Sequence, residues 1–206
     1  MINEYIERVE NAINCAQSNT TKLPEPIFAI SGMSTRENRI LLNELVKEND
    51  KYLEIGVHRG STFVSALYNN NAKAIAIDNF SQFGGQEIKA FFDQHCADHN
   101  IQHTFIDHDC FNLNEEHKYL LPNVNVYFYD GDHRFEDQEK ALTYYLEFLA
   151  DTFIFIVDDW NHGPAKDGTR SGIDLTKVNV HKEWELDSRT GKSWHNGLYV
   201  AVMSKT

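Results

Sequence analysis

The chain has 206 residues, enough for one domain with a single core but too few for a second full domain. Its hydrophobic content of 41% and charged content of 24% are those of an ordinary globular protein, which argues against disorder. The formal net charge is −12 and no cluster of Lys and Arg exceeds a pair, so we expect no nucleic-acid partner.

The compartment can be predicted from the same data. No apolar run approaches the ~20 residues of a membrane span, so no membrane partner is expected. The three cysteines form no CxxC pair, and the Met1 end shows no signal peptide. We therefore expect a soluble, cytoplasmic protein.

The first 30 residues predict a helical extension to the domain. Pro24 and Pro26 end it, and a capping-box pattern from Ser34 to Glu37 predicts that a new helix begins there. The loop before that helix, 31–34, is either a pocket lid or a plain connector. The first helix is predicted to be amphipathic, with acids between its apolar residues. We expect its apolar face to pack either on the domain or on a second copy in a homodimer. This face consists of Ile2, Ile6, Val9 and Ile13.

The most informative stretch is 51–62. Residues 52–55 predict a buried strand, Gly56 and Gly60 predict a sharp turn, and the apolar run 63–67 predicts a helix. In an open α/β sheet such a turn lies at the carboxyl edge, where glycines let a ligand approach the backbone. The stretch therefore predicts a pocket for a nucleotide-like ligand.

Further strands alternate with helices and end in acids. The second strand ends at Asp78, 18 residues after Gly60, where an acid is suited to accept both hydroxyls of a ribose. The fourth strand ends at Asp130, and the fifth at Asp158 and Asp159. The predicted strands are 72–77, 104–106, 124–129 and 153–157, with helices at 88–96 and 135–150.

The alternation and the continuous apolar strands predict a doubly wound α/β architecture with a mostly parallel sheet. The end of the chain differs. A Gly/Pro-rich loop at 163–172 precedes strands 178–186 and 198–203, joined by a turn at 187–191. These two strands predict a C-terminal antiparallel pair that closes one edge of the sheet.

Four of these motifs, in order, resemble the class I S-adenosylmethionine-dependent methyltransferases: the stretch 54–62, Asp78, the run from Asp130 to His133, and the run from Val157 to Trp160. The most similar group is the metal-assisted small-molecule O-methyltransferases, the sugar and antibiotic-tailoring kind related to catechol O-methyltransferase. The resemblance covers roughly 30–203 and implies a Rossmann-like, seven-stranded sheet. It makes residues 1–206 a single methyltransferase-like domain, with 1–30 as its extension.

The resemblance also implies roles for individual residues. Asp78 binds the ribose, and Asp109 and Cys110 lie where the family holds the adenine. His133 and Asp158 are implied as catalytic residues, with His133 as the base. The cofactor-binding residues implied for S-adenosylmethionine are Glu54, Gly56, Gly60, Ser61, Asp78, Asp109, Cys110 and Asp130, and the metal ligands are Asp130, Asp158 and Asp159.

Physical reasoning supports the metal site independently. Adjacent strands lie about 4.8 Å apart, so carboxylates at neighbouring strand ends can converge. Clustered carboxylates repel each other unless one takes a proton or a cation sits between them, and an all-oxygen site suits Mg²⁺. Such a cation lowers the pKa of a substrate hydroxyl, whose proton His133 can take.

Simpler interpretations remain open. Asp78 and Asp130 could be turn acids, the pair 158–159 could cap a loop, and His133 could be an exposed helix-start residue. His162 and His195 could border the pocket. The segment between Asn161 and Val178 is short for a full helix.

Two alternative functions are a non-catalytic cofactor-binding or assembly module and a nicotinamide-dependent oxidoreductase. The missing G-x-G-x-x-G argues against the oxidoreductase. The methyl acceptor stays open.

Overall fold

The computed structural model describes residues 1–187 and 193–206. The described residues form one sheet of seven strands, β1 (Lys51–Ile55), β2 (Lys73–Ile77), β3 (Thr104–Ile106), β4 (Val124–Tyr129), β5 (Leu149–Val157), β6 (Asn179–Leu186) and β7 (Leu198–Ser204). Their order is β3-β2-β1-β4-β5-β7-β6. The predicted turn at 187–191 falls, beyond its first residue, outside the described residues.

Strands β1 to β5 pair in parallel, and β7 is antiparallel to both β5 and β6. The predicted doubly wound, mostly parallel sheet with a C-terminal antiparallel pair is therefore confirmed. Both faces of the sheet are buried. Tyr52 and Val126 join the core on one face, whereas Leu53 and Tyr127 join the core on the other. The continuous apolar strands of the sequence reflect this two-sided burial.

Eight α-helices and one short 3₁₀ helix, Leu146–Phe148, are seen in the described residues. None of these helices is long and apolar enough to cross a membrane. The helices are α1 (Ile2–Gln17), α2 (Glu25–Phe28), α3 (Arg36–Leu45), α4 (Ser61–Leu67), α5 (Gln86–Asp98), α6 (Glu115–Tyr119), α7 (Phe135–Thr143) and α8 (Gly163–Thr176).

Helix α1 packs its apolar face on the rest of the chain. Val9, Ala12 and Ile13 are buried in the same core cluster as residues of α3 and β1. Arg8 forms an ion pair with Asp50, just before β1. The predicted packing of this face on the domain is confirmed, and the homodimer stays a prediction.

Helix α3 begins one residue later than its sequence pattern suggests. The N-cap is Thr35, whose side chain accepts a hydrogen bond from the Asn38 backbone N–H at 3.3 Å. The predicted capping box from Ser34 to Glu37 is therefore wrong. Ser34 instead accepts a hydrogen bond from Arg39 Nε at 2.8 Å.

The predicted loop at 163–172 is also wrong, because α8 covers it. Pro164 lies in the first turn, where its missing N–H costs nothing. A Cβ on Gly168 would lie 2.2 Å from the Phe135 carbonyl oxygen, and one on Gly172 would lie 2.9 Å from the Glu139 carbonyl oxygen. Both glycines therefore allow α8 to pack closely on α7 rather than breaking the helix.

Candidate active site

Glu54 is fully buried near the end of β1. Thr62 Oγ1 donates a hydrogen bond of 2.6 Å to one carboxyl oxygen of Glu54, and the Tyr52 hydroxyl donates to the other. Burial raises the pKa of Glu54 from its ordinary 4.5 to about 7, although both hydrogen bonds act to lower it. The side chain is thus fixed by two donors beneath the turn that follows β1.

The glycine turn brings the ends of β1 and β4 into contact. Gly56 has a φ of +84°, and a Cβ there would lie 1.9 Å from the Asp130 carbonyl oxygen. Gly60, with a φ of +83°, is the N-cap of α4. Because L side chains rarely adopt this conformation, the turn requires glycine at both positions.

Asp78 follows β2 and lies against the glycine turn. Its two carboxyl oxygens accept hydrogen bonds from the backbone N–H groups of His58, at 3.0 Å, and Phe80, at 2.8 Å. Burial raises the pKa of Asp78 above its ordinary value. Since each carboxylate oxygen can accept a second hydrogen bond, the group remains able to bind a pair of ligand hydroxyls.

Asp109 and Cys110 lie in the loop after β3, beside β2. Asp109 is exposed, and its side chain accepts a hydrogen bond from the Phe111 N–H at 2.9 Å. Burial, with the Asp109 charge nearby, raises the pKa of the Cys110 thiol to about 12. The thiol is therefore protonated at neutral pH and unsuited to act as a nucleophile.

A second group of acids follows β4 and β5. The Asp130 N–H donates to the Ile55 carbonyl at 2.9 Å, and the Asp158 N–H donates to the Tyr129 carbonyl at 3.1 Å, so these strand ends are aligned. Burial and the charge of Asp158 raise the pKa of Asp130, while burial and Asp159 raise the pKa of Asp158 to about 7. The Asp130 and Asp158 carboxyl groups are close enough to share a proton.

Asp159 is held by two donors from distant parts of the chain. His133 Nε2 lies 2.6 Å from one of its oxygens, and Asn196 Nδ2 donates to the other at 2.6 Å. Burial acts to raise the pKa of Asp159, but the bonds from His133 and Asn196 outweigh it and lower the pKa below its ordinary value. The same contact raises the pKa of His133.

The predicted metal ligands lie in this group, with one difference. Among the described residues, Asp130, His133 and Asp159 each offer a ligand atom, and these atoms lie within 4.8 Å of one another. The predicted set contains Asp158 instead of His133. Asp158 nevertheless has a buried oxygen, Oδ1, with no hydrogen-bond partner among the described residues. The cluster is therefore rich in acceptors and short of donors.

The two histidines expected to border the pocket lie near the same acids. The rings of His162 and His133 are 6.0 Å apart between centroids. His195 directly precedes Asn196, whose side chain donates to Asp159. Both therefore belong to the surroundings of the cluster.

Sequence reasoning missed several side chains that support the predicted ones. Thr62 lies inside the stretch singled out, so its hydroxyl could have been included. No sequence pattern indicated Asn196, because its position depends on backbone hydrogen bonds between the loop before β7 and the loop after β5. These join the Trp160 N–H to the Gly197 carbonyl at 3.1 Å and the Asn161 N–H to the Asn196 carbonyl at 2.9 Å.

Solved structures of methyltransferases are similar to this fold. An SAH-bound methyltransferase from Podospora anserina has 12% sequence identity and a TM-score of 0.61, covering 97% of this chain and 88% of that one. TrmN from Thermus thermophilus has 13% identity and a TM-score of 0.62, covering 88% of this chain and 52% of that one. A candidate rRNA methylase from Clostridium thermocellum has 16% identity and a TM-score of 0.57, covering 82% and 95%.

The chain therefore spans about half the length of TrmN, and at these identities the likeness concerns the fold alone. No curated protein sequence matches this chain. A family model described as a methyltransferase domain matches residues 53–160, more than half of the chain and the part that contains Glu54, Asp78, Asp130 and Asp158. This chain belongs to the methyltransferase-domain family and has the class I S-adenosylmethionine-dependent methyltransferase fold.

Proposed function

We propose that this chain binds S-adenosylmethionine at the ends of β1 to β3 and transfers its methyl group to a hydroxyl oxygen of a small molecule. The observation that carries the proposal is the group of three acids at neighbouring strand ends, Asp130, Asp158 and Asp159, of which Asp130 lies against the glycine turn through its backbone carbonyl. A protein that only bound the cofactor would have no need of converging acids there.

In this proposal the cofactor lies along the carboxyl edge of the sheet. Asp78 accepts the ribose hydroxyls, since its oxygens have capacity left. The exposed loop at Asp109 and Cys110 borders the adenine. The remaining contacts come from the turn and from the strand ends on either side of it, at Glu54, Gly56, Gly60, Ser61 and Asp130.

The acids fit a divalent cation such as Mg²⁺. Asp158 has an oxygen without a partner, and Asp130 and Asp158 would otherwise have to share a proton. Asp130, Asp158 and Asp159 would hold the ion, an all-oxygen set of the kind that hard cations prefer. When bound, it would lower the pKa of an acceptor hydroxyl.

His133 is the proposed base. Its side chain is 46% exposed and therefore accessible to an acceptor, while its Nε2 contact with Asp159 orients the ring and stabilises its protonated form. The acceptor oxygen attacks the methyl carbon, the carbon–sulfur bond breaks, and SAH leaves with the electron pair on sulfur. The hydroxyl proton moves to His133.

Titration calorimetry with SAH tests the cofactor part. We expect micromolar binding by the wild type and about tenfold weaker binding by Asp78→Ala, because a buried pair of hydrogen bonds to the ribose is lost. Asp98→Ala, an acid at the end of α5 remote from the strand ends, is the control. Absence of SAH binding by the wild type at 100 μM would contradict the proposal.

Screening acceptors by SAH release tests the reaction. Turnover of a small hydroxyl compound that requires a divalent cation and is inhibited by a chelator would support the proposal. Turnover of RNA alone would favour nucleic-acid methylation, against which the net charge of −12 weighs. Tight SAH binding without turnover of any acceptor would favour the non-catalytic alternative.

A further inference from the structure

The backbone of Asp159 adopts a conformation that its neighbours have to hold. Its φ is +55°, in the left-handed region that residues other than glycine adopt only at a cost in free energy, although Asp tolerates it better than most. Two backbone hydrogen bonds support it. The His162 N–H donates to the Asp159 carbonyl at 2.8 Å, and the Trp160 N–H donates to the Gly197 carbonyl at 3.1 Å. The residue after Asp159 therefore helps to keep this acid in place.

The side chain of Trp160 is packed between an aromatic ring of β7 and two cations of α8. It is 3% exposed, and its ring stacks on that of Tyr199 with 4.3 Å between the centroids. The guanidinium carbon of Arg170 lies 5.3 Å from the Trp160 centroid and 5.1 Å from the Tyr199 centroid. Lys166 Nζ lies 5.3 Å from the Trp160 centroid. Cations at such distances are attracted to aromatic rings, so α8 holds Trp160 against β7.

Two glutamates of β6 fix Arg170 over these rings. Nη1 and Nη2 of Arg170 donate to the two carboxyl oxygens of Glu183, at 2.6 and 2.9 Å, and Nη2 also donates to Glu185 at 2.9 Å. Glu185 accepts a further bond from Lys166 at 2.6 Å, and Glu183 accepts one from the Tyr199 hydroxyl at 2.7 Å. The bond from Arg170 lowers the pKa of Glu183, so this acid is charged at neutral pH. The two cations and two glutamates form an α8–β6 clamp on Trp160.

The clamp contributes geometry more than stability. The side chains of Arg170 and Glu183 are 35% and 36% exposed, and ion pairs at such positions usually stabilise a folded protein little. A planar guanidinium bonded through two nitrogens to one carboxylate nevertheless has a defined orientation. Helix α8 is also attached to α7 independently, since Thr169 Oγ1 donates to Gln138 Oε1 at 3.1 Å. Loss of the clamp should therefore leave α8 in place and act locally, on Trp160.

We propose that Arg170 is a positioning residue for Asp159. By holding Trp160 against Tyr199, it keeps the preceding residue in its left-handed conformation and so directs the Asp159 carboxylate toward the other acids. The inference rests on the proposed function, in which Asp159 is a metal ligand. It makes the edge strand β6, through Glu183 and Glu185, part of what shapes the acid cluster.

Titration calorimetry on the full chain, with Mn²⁺ and separately with SAH, tests the inference. Arg170→Met keeps much of the apolar length of the side chain but removes its charge and hydrogen bonds. We expect Mn²⁺ to bind at least about tenfold more weakly, as is typical when a group that orients a metal ligand is lost, and SAH affinity to change less than about twofold. Arg36→Met is the matched control and should change neither affinity. Arg36 also bonds one glutamate, Glu25, through two nitrogens and lies 3.7 Å from the centroid of the Phe28 ring, but it belongs to α3.

Amide hydrogen exchange gives a second readout that needs no metal. In Arg170→Met the amides of Trp160 and His162, whose hydrogen bonds support Asp159, should exchange at least about tenfold faster. The Asp158 amide, which donates to the Tyr129 carbonyl, should change little. In an Asp159→Asn background, Arg170→Met should weaken Mn²⁺ binding no further, because the residue through which it acts is already altered.

Unchanged Mn²⁺ affinity in Arg170→Met would overturn the inference. So would equal losses of Mn²⁺ and SAH affinity, which would indicate a general structural role, and so would a further loss in the Asp159→Asn background. If Arg170→Met does not fold, Glu183→Gln, which keeps the shape of the partner but removes its charge, is judged by the same measurements. Failure of the wild type to bind Mn²⁺ would reject the metal of the proposed function. Amide exchange then decides the inference alone, and unchanged exchange at Trp160 and His162 overturns it.

Discussion

The two halves of the strand-end site differ in how their acids are satisfied. Beneath the glycine turn, Glu54 accepts from two hydroxyls, and Asp78 accepts from two backbone N–H groups. Beyond β4 and β5, the imidazole of His133 and the amide of Asn196 both contact Asp159, and Asp158 Oδ1 has no partner in the described part of the chain. In the first half, the cofactor half, the protein's own donors hold each acid in place, and Asp78 keeps the capacity to accept ligand hydroxyls. The second half, the acid half, consists of Asp130, Asp158 and Asp159. It retains negative charge that only a proton or a cation can compensate.

The largest effect is expected where the halves touch. Gly56→Ala would place a methyl group 1.9 Å from the Asp130 carbonyl oxygen at a φ of +84°. Because backbone atoms on both sides must move, we expect a loss of about 4 kcal/mol or more in the free energy of unfolding. Urea unfolding followed by circular dichroism measures it. Gly163→Ala, where a Cβ meets nothing within 4 Å, is the control, and an equal effect of both substitutions would contradict the close contact.

The acid half can be broken without the cofactor half. Asp130→Asn removes a proposed metal ligand, so we expect methyl transfer to fall about 1,000-fold, since a bound cation contributes several kcal/mol of charge stabilisation. SAH affinity should fall far less. Asp151→Asn, which removes an exposed acid from the beginning of β5, controls for the change in net charge. Activity that survives Asp130→Asn and ignores a chelator would argue against the metal.

In the cofactor half, the buried acid Glu54 should make the free energy of unfolding depend on pH. The folded pKa of Glu54, about 7, exceeds its ordinary 4.5, so the folded state binds the proton more tightly. The contribution of Glu54 to the free energy of unfolding is therefore complete below pH 4.5 and is lost as the pH rises through 7. The loss amounts to about 3 kcal/mol.

Glu54→Gln should remove this component of the pH dependence, whereas Glu87→Gln, an exposed acid on α5, should retain it. The measurement is the difference in unfolding free energy between each variant and the wild type from pH 5 to pH 8. Parallel curves for Glu54→Gln and the wild type would mean that Glu54 ionises at its ordinary pKa.

The smallest effect concerns the support of the acid half. Asn196→Ala removes the 2.6 Å hydrogen bond to Asp159, so the carboxylate should lose orientation and its pKa should rise toward the ordinary value. We expect about a tenfold fall in activity, which is typical when a supporting hydrogen bond of a metal ligand is removed. The ratio of Asn196→Ala activity to wild-type activity, measured at several Mg²⁺ concentrations, separates weaker metal binding from slower chemistry. A fall in activity that Mg²⁺ leaves unchanged would place the effect of Asn196 on His133 instead.

Sequence patterns predicted most of the sheet and the strand-end positions of the proposed site residues. They failed at α8, because Gly168 and Gly172 read as loop residues until the position of α7 is known. They also failed at the start of α3, where Ser34 and Thr35 are both good caps and only the contact between Ser34 and Arg39 distinguishes them.

The sequence by itself determined the alternation of strands and helices, the glycine turn and the acids at the strand ends, because these depend on local conformation and on the period of apolar residues. Tertiary structure decided which side chains complete each acid. Asn196 reaches Asp159 because β7 inserts beside β5, and Ser61 can approach the loop before α3, with its Oγ 3.3 Å from Ser34 Oγ, because Gly32 has no side chain in the way. Contacts between residues so distant along the chain depend on packing, which no local pattern encodes.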